Sequence, residues 1–131
     1  MELKRVVVTG LGALTPIGNT VSEYWDGLVS GKSGANPITY FDASNFTTQF
    51  ACELKGFNVE DFMDRKLARK MDRFAQYAIV SSEEAIADSR IIEDNVEKDR
   101  IGVIWGAGIG GLETFQNEVL GFAAGKWHTE I

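Results

Sequence analysis

The hydrophobic pattern changes period several times along the chain, and each change predicts an element. Arg5-Val6-Val7-Val8-Thr9 is a β-branched run without alternation, the pattern of a strand covered on both faces in a layered α/β sheet. Gly10, Gly12, Pro16 and Gly18 then keep the chain in a loop. Thr20-Val21-Ser22-Glu23 reads as a capping box, and Val21, Tyr24, Trp25, Leu28 and Val29 fall on one helical stripe that Gly31 ends. Residues 46–54 alternate cleanly: Phe46, Thr48, Phe50, Cys52 and Leu54 share one side, which predicts a half-exposed strand with Cys52 on its buried face. Asn58 is a candidate cap for a short helix reaching Met63.

A long helix is predicted from Asp72 to about Arg90. Its many small residues (Ala75, Ala78, Ser81, Ser82, Ala85) suit close approach to neighbours on its sides. Residues 93–100 are charged and loop-like. Ile101-Gly102-Val103-Ile104-Trp105 is a further candidate for a buried strand, followed by the glycine run Gly106 to Gly111. Leu112, Phe115, Val119, Phe122 and Ala123 carry a last helical stripe. The order β-α-β-α-β-α implies an α/β layered fold.

Composition narrows the class. At 131 residues with 44% apolar side chains the chain has room for one domain with a core. A net charge of −6 disfavours nucleic acid and anionic membranes as partners. No apolar run approaches the ~20 residues of a bilayer span, and the start lacks a secretory pattern. The single Cys52 leaves no internal disulfide, which fits a cytoplasmic location.

The candidate chemistry is sparse. Gly106, Gly108 and Gly111 match G-x-G-x-x-G between a predicted strand and helix, but the confirming acidic residue after a second strand is missing, so no cofactor is expected. A dinucleotide-binding domain stays as an alternative. Cys52 in mid-strand reads as a packed thiol rather than a nucleophile, and His128, the only histidine, has no evident orienting partner. One Cys and one His make no metal site. Lys66, Arg69 and Lys70, at i, i+3 and i+4, put three cations on one face, either a solvated surface or a dock for an acidic partner.

Four ordered blocks carry a resemblance: residues 5–19, Gly31-Lys32-Ser33-Gly34, the stretch from Arg65 to Asp72, and Gly106-Ala107-Gly108-Ile109-Gly110-Gly111-Leu112. Together they resemble the amino-terminal part of the β-ketoacyl-[acyl-carrier-protein] synthases, most closely type II, over nearly the whole chain to about Gly125. The resemblance implies part of a thiolase-like α-β-α-β-α fold, incomplete here, in a protein that forms a homodimer. It implies decarboxylative condensation of malonyl-ACP with an acyl chain held as a cysteine thioester, by nucleophilic and electrostatic catalysis.

In that family the nucleophilic cysteine and two catalytic histidines come later than Ile131, and neither Cys52 nor His128 matches them. The chain is therefore expected to supply no catalytic residue and to be inactive alone, with residues 126–131 an atypical tail. Two roles carry over by position. Lys66, Arg69 and Lys70 match the cationic patch that docks the acyl carrier protein, and Ile109 matches the branched residue gating the acyl pocket. A non-catalytic partner subunit of a condensing enzyme is the other alternative.

Overall fold

Helix α1 (Val21–Val29) forms where the capping signals place it, and both of its ends are closed by side-chain or backbone bonds. Thr20 Oγ1 accepts from the Glu23 amide at 3.2 Å, and the Glu23 carboxylate reaches back to the Asn19 amide at 2.7 Å, one residue beyond the usual capping-box partner. At the other end Gly31 takes φ +67°, with Lys32 N–H bonding Gly27 O at 2.9 Å and Gly31 N–H bonding Leu28 O at 3.1 Å. That pair is a Schellman closure, which requires the left-handed conformation glycine adopts without a Cβ penalty.

The computed structural model describes residues 3–93 and 96–126. Strands β1 (Asn36–Pro37) and β2 (Phe50–Ala51) pair antiparallel, with Asn36 opposite Ala51 and Pro37 opposite Phe50. A 3₁₀ turn, Val59–Asp61, is capped by Asn58 as expected, and leads into the single-turn helix α2 (Arg65–Ala68). Helix α3 (Arg73–Ser89) and helix α4 (Leu112–Ala123) complete the set, with a second 3₁₀ turn at Lys98–Arg100.

Helix α3 is the scaffold. The loop after Thr9 lies directly on its small-residue face. A Cβ on Gly10 would stand 2.6 Å from Ser89 N, and one on Gly12 would stand 2.9 Å from Ala85 N. Two carboxylates of α3 read the backbone of that loop: Leu11 N–H donates to Asp88 Oδ2 at 2.9 Å and Ala13 N–H to Glu84 Oε2 at 2.8 Å. The spacing is physical. Two residues of open chain cover roughly 6–7 Å and one helical turn roughly 5–6 Å, so amides at i and i+2 match carboxylates at i and i+4. Glu84 Oε1 also accepts from Val21 N–H at 2.8 Å, so one side chain holds the loop and the start of α1 together.

Three expectations are corrected. Residues 5–9 and 101–105 enter no ladder among the described residues, and Val6, Val8 and Ile104 are exposed. An unalternating apolar run becomes a buried strand only when neighbouring strands accept its hydrogen bonds and layers cover both faces, and the described residues supply neither beside these segments. The strand over 46–54 shortens to two residues, and Cys52 is exposed rather than buried. On the opposite side Ala51 and Glu53 are half-buried, and Glu53 accepts from Thr39 Oγ1 at 2.7 Å and Thr39 N–H at 3.0 Å at the surface, which fixes the register against a neighbour. Third, Trp25, Leu28 and Val29 of the α1 stripe stay exposed, and the buried residue of that helix is Gly27, against Ile17. The core is small, with Ala43, Ala68 and Val80 as its buried apolar residues.

Candidate functional site

The cationic turn is built from its cap. Asp64 accepts from the amides of Lys66 at 2.8 Å and Leu67 at 3.3 Å, which starts α2. The turn continues through Arg69 N–H to Arg65 O at 3.1 Å and Lys70 N–H to Leu67 O at 3.0 Å. Ala68 is buried on the inner side, while Lys66, Arg69 and Lys70 are exposed. The three cations make no ion pair within the described residues, whereas Arg65 pairs with Glu60 at 3.2 Å and Arg73 with Glu113 at 3.3 Å. With Arg65 and Arg73 paired, the exposed cations of this turn outside an ion pair among the described residues are Lys66, Arg69 and Lys70, in a chain of net charge −6. Such a turn attracts anionic surface against the protein's own field.

Gln76 fastens this turn to α3. Its Nε2 donates to Ala68 O at 2.9 Å and Met71 O at 3.1 Å, satisfying two carbonyls at the end of α2. Next to it, Phe57 stacks on Phe62 with centroids 5.6 Å apart and meets Tyr77 edge-on at 5.5 Å. The Arg73 guanidinium lies 4.5 Å from the centroid of the Tyr40 ring. Burial pushes the Tyr77 hydroxyl above the usual tyrosine range, with Tyr40 beside it adding to the shift. Hydrogen bonding by Thr39 holds Glu53 below the usual carboxylate range.

The first turns of α3 and α4 are locked to each other by three successive residues. Asp72 Oδ1 accepts from Thr114 Oγ1, Arg73 pairs with Glu113, and the ring of Phe74 fills the space where a Cβ on Gly110 would stand. This anchors the end of the glycine loop at α3. Ile109, one residue before that anchor, is 76% exposed. Open space surrounds Gly106 and Gly108, and Gly111 takes φ +73° as the residue before α4.

The same geometry weighs against a dinucleotide. A pyrophosphate needs the free amides of a helix N-terminus. At α4 the protein's own carboxylate is already there: a Cβ on Gly111 would stand 2.9 Å from Asp72 Oδ2, and the Thr114 hydroxyl of the first turn bonds that carboxylate.

Two sequence candidates end elsewhere. Cys52 stands directly after β2, apart from the cationic turn in sequence and without a bonding partner among the described residues. His128 lies outside the described residues, as does all of the expected tail 126–131 except Lys126. Sequence reasoning missed Tyr40, Phe57, Arg73 and Tyr77 as a group. Their only sequence signal is an aromatic content of 11%, which does not say which rings meet.

Comparison with known proteins gives a consistent result. The family model "Beta-ketoacyl synthase, N-terminal domain" matches residues 3–126. The chain is 49% identical over 118 residues to 3-oxoacyl-[acyl-carrier-protein] synthase 2 of Synechocystis sp., covering 90% of this chain and 28% of the relative. It is 53% identical over 114 residues to the protein of the same name from Staphylococcus aureus, covering 86% and 27%. Two of the similar solved structures show the fold. The ishigamide ketosynthase/chain length factor superposes with a TM-score of 0.72 at 31% identity, covering 91% of this chain and 30% of that one. A type II PKS acyl-carrier protein in complex with its ketosynthase superposes with a TM-score of 0.71 at 29% identity, covering 95% and 32%. The chain thus spans 27–28% of the length of these curated relatives.

Proposed function

Because the chain belongs to the β-ketoacyl synthase family through its N-terminal domain, we propose that it is the amino-terminal part of a 3-oxoacyl-[acyl-carrier-protein] synthase that elongates fatty acids. Its fold is a partial thiolase-like α/β fold, shared with the two ketosynthase structures. The reaction proposed for the whole synthase is a decarboxylative Claisen condensation. A cysteine thiolate takes the acyl group from acyl-ACP, malonyl-ACP loses CO₂, and the resulting enolate carbon attacks the thioester carbonyl. The new carbon–carbon bond forms as the thiolate leaves.

The observation that carries this reading is identity of about half, 49% and 53%, to type 2 synthases along most of the chain. We assign the chain no catalytic side chain; its contribution is recognition. Lys66, Arg69 and Lys70 dock the acyl carrier protein, with the unpaired exposed cations of the α2 turn as support. Ile109 gates the acyl pocket, held near the Phe74–Gly110 anchor. The apolar side chains exposed on α4, Leu112, Phe115 and Val119, support burial against the rest of a homodimeric synthase in the cytoplasm.

The test is a titration of the 131-residue chain with fluorescent acyl carrier protein at several salt concentrations. Wild type should bind with steep salt dependence, and the Lys66→Glu, Arg69→Glu, Lys70→Glu variant should bind at least about tenfold more weakly with a flattened slope. Equal affinity and slope in both would overturn the docking role. The chain alone should form no β-ketoacyl product from acyl-ACP and malonyl-ACP, and product formation would overturn the division of labour. The likeness to a ketosynthase/chain length factor keeps one second reading, a non-catalytic partner subunit of the same fold. The residue at the nucleophile position of the complete protein decides between the two.

A further inference from the structure

The start of α3 grips the glycine loop from one side, and every partner in that grip belongs to this chain. We propose that Asp72, Arg73 and Phe74 are positioning residues for Ile109. They fix the loop at its α4 end, so that Ile109 moves only about that fixed point. The proposal rests on the gate reading of Ile109 above and adds what sets the gate's place and reach.

Two observations carry it. First, Asp72 has left its local role. It occupies the N-cap position of α3, where an aspartate ordinarily accepts from amides of its own first turn, yet its side chain makes no such bond. Asp64, at the same position of α2, does accept from its own turn. The Asp72 carboxylate goes to α4 instead: Oδ1 accepts from Thr114 Oγ1, and Oδ2 lies 2.9 Å from where a Cβ on Gly111 would stand. One carboxylate thus serves the positive ends of two helices, which favours keeping those ends together. Arg73 pairs with Glu113 beside it at 3.3 Å. Phe74 Cε1, Cδ1 and Cζ lie 2.8–3.0 Å from the Cβ position on Gly110, so only a residue without a Cβ lets the loop lie this close to the ring.

Second, among the described residues the loop is held from that side alone. Residues 102–110 make no backbone-to-backbone hydrogen bond there, and a Cβ on Gly106 or Gly108 would meet nothing within 4 Å. Consecutive Cα atoms are about 3.8 Å apart, so Ile109 pivots on Gly110 within that radius. A gate hung in this way swings without drifting, and its stopping place follows the clasp. Moving the pivot by roughly a methyl's width moves the wall of an apolar pocket by about one methylene of its ligand, a step such pockets discriminate about tenfold or more.

The test begins with amide and methyl relaxation of the isotope-labelled 131-residue chain, which needs no substrate. Order parameters should lie below about 0.6 at Gly106 and Gly108 and rise to roughly 0.8 by Gly111. In Gly110→Ala the new methyl meets the Phe74 ring, so the Ile109 methyl resonances should move and the step in order should vanish. Phe74→Val removes the ring atoms that it meets. The double variant should recover both signatures, a rescue that general loosening of the two helices would not give. Uniform order across residues 106–111 in wild type would overturn the proposal, and that measurement needs no variant to fold. Ile109 resonances unmoved by Gly110→Ala would overturn it as well.

The complete synthase separates this proposal from the gate reading. Gly110→Ala should change the ratio of kcat/KM for long over short acyl chains about tenfold, and adding Phe74→Val should return it toward wild type. Ile109→Phe should lower the same ratio. An unchanged ratio in Ile109→Phe would overturn the gate reading and leave the clasp's hold on the loop standing. A lowered ratio there, with wild-type selectivity in Gly110→Ala, would overturn the clasp's role and leave the gate.

Discussion

Replacing Glu84 by Ala tests whether one carboxylate organises the first third of the chain. Glu84 accepts from Ala13 N–H and Val21 N–H, both at 2.8 Å, in a partly buried position. Hydrogen bonds to a charged acceptor contribute about 1.5–3 kcal/mol each when well shielded, and partial solvent access lowers this to roughly 1–2 kcal/mol each. Glu84→Ala should therefore cost about 2–4 kcal/mol. Asp88→Ala, which frees only the Leu11 amide at an exposed site, should cost about 0.5–1 kcal/mol. Glu84→Gln keeps an uncharged acceptor and should fall between them.

The assay is urea unfolding followed by tryptophan fluorescence, with Trp25 on α1 as a reporter. Amide exchange supplies a local readout. In Glu84→Ala the Ala13 and Val21 amides should exchange faster, while the Leu28 and Gly31 amides at the far end of α1 should change little. A Glu84→Ala cost no larger than that of Asp88→Ala, with unchanged exchange at Ala13 and Val21, would refute the idea that this side chain joins loop to helix.

Gly12→Val should destabilise by about 2–3 kcal/mol or more in the same unfolding assay, because its Cβ would meet the Ser81 carbonyl and stand 2.9 Å from Ala85 N, where only backbone could give way. Cys52 is exposed, so native protein should react with an aromatic disulfide reagent at a rate within about tenfold of unfolded protein, and a requirement for denaturant would contradict this. Glu53 has a lowered folded value because of Thr39. The stability it contributes is present above the ordinary glutamate range and lost as pH falls through that lowered value. Glu53→Gln should accordingly shrink the acid-side loss of stability in melts taken across that range.

Helix positions were legible in the sequence because their causes are local. The Thr20 cap, the Gly31 stop and the stripe from Leu112 to Phe122 depend on residues within a few positions of one another, and α1 and α4 appear where those signals put them. The cationic triad was legible for the same reason, since i, i+3, i+4 spacing on one turn needs no distant partner. Relatedness was also written in the chain, as the match over residues 3–126 bears out.

What the tertiary structure alone decided depends on who the neighbours are. Alternation over 46–54 named two faces of a strand but not which one is covered, and the Glu53–Thr39 bonds tie down the side opposite Cys52, which is exposed. An apolar run such as Val6–Val8 states a demand for burial without supplying the partner that meets it. The Glu84 bridge, the Asp72–Thr114 and Arg73–Glu113 clasp and the Tyr40–Phe57–Tyr77 cluster join residues tens of positions apart. Local preference reaches about one helical turn along the chain, whereas contacts across such separations exist only once folding has closed the loops between them.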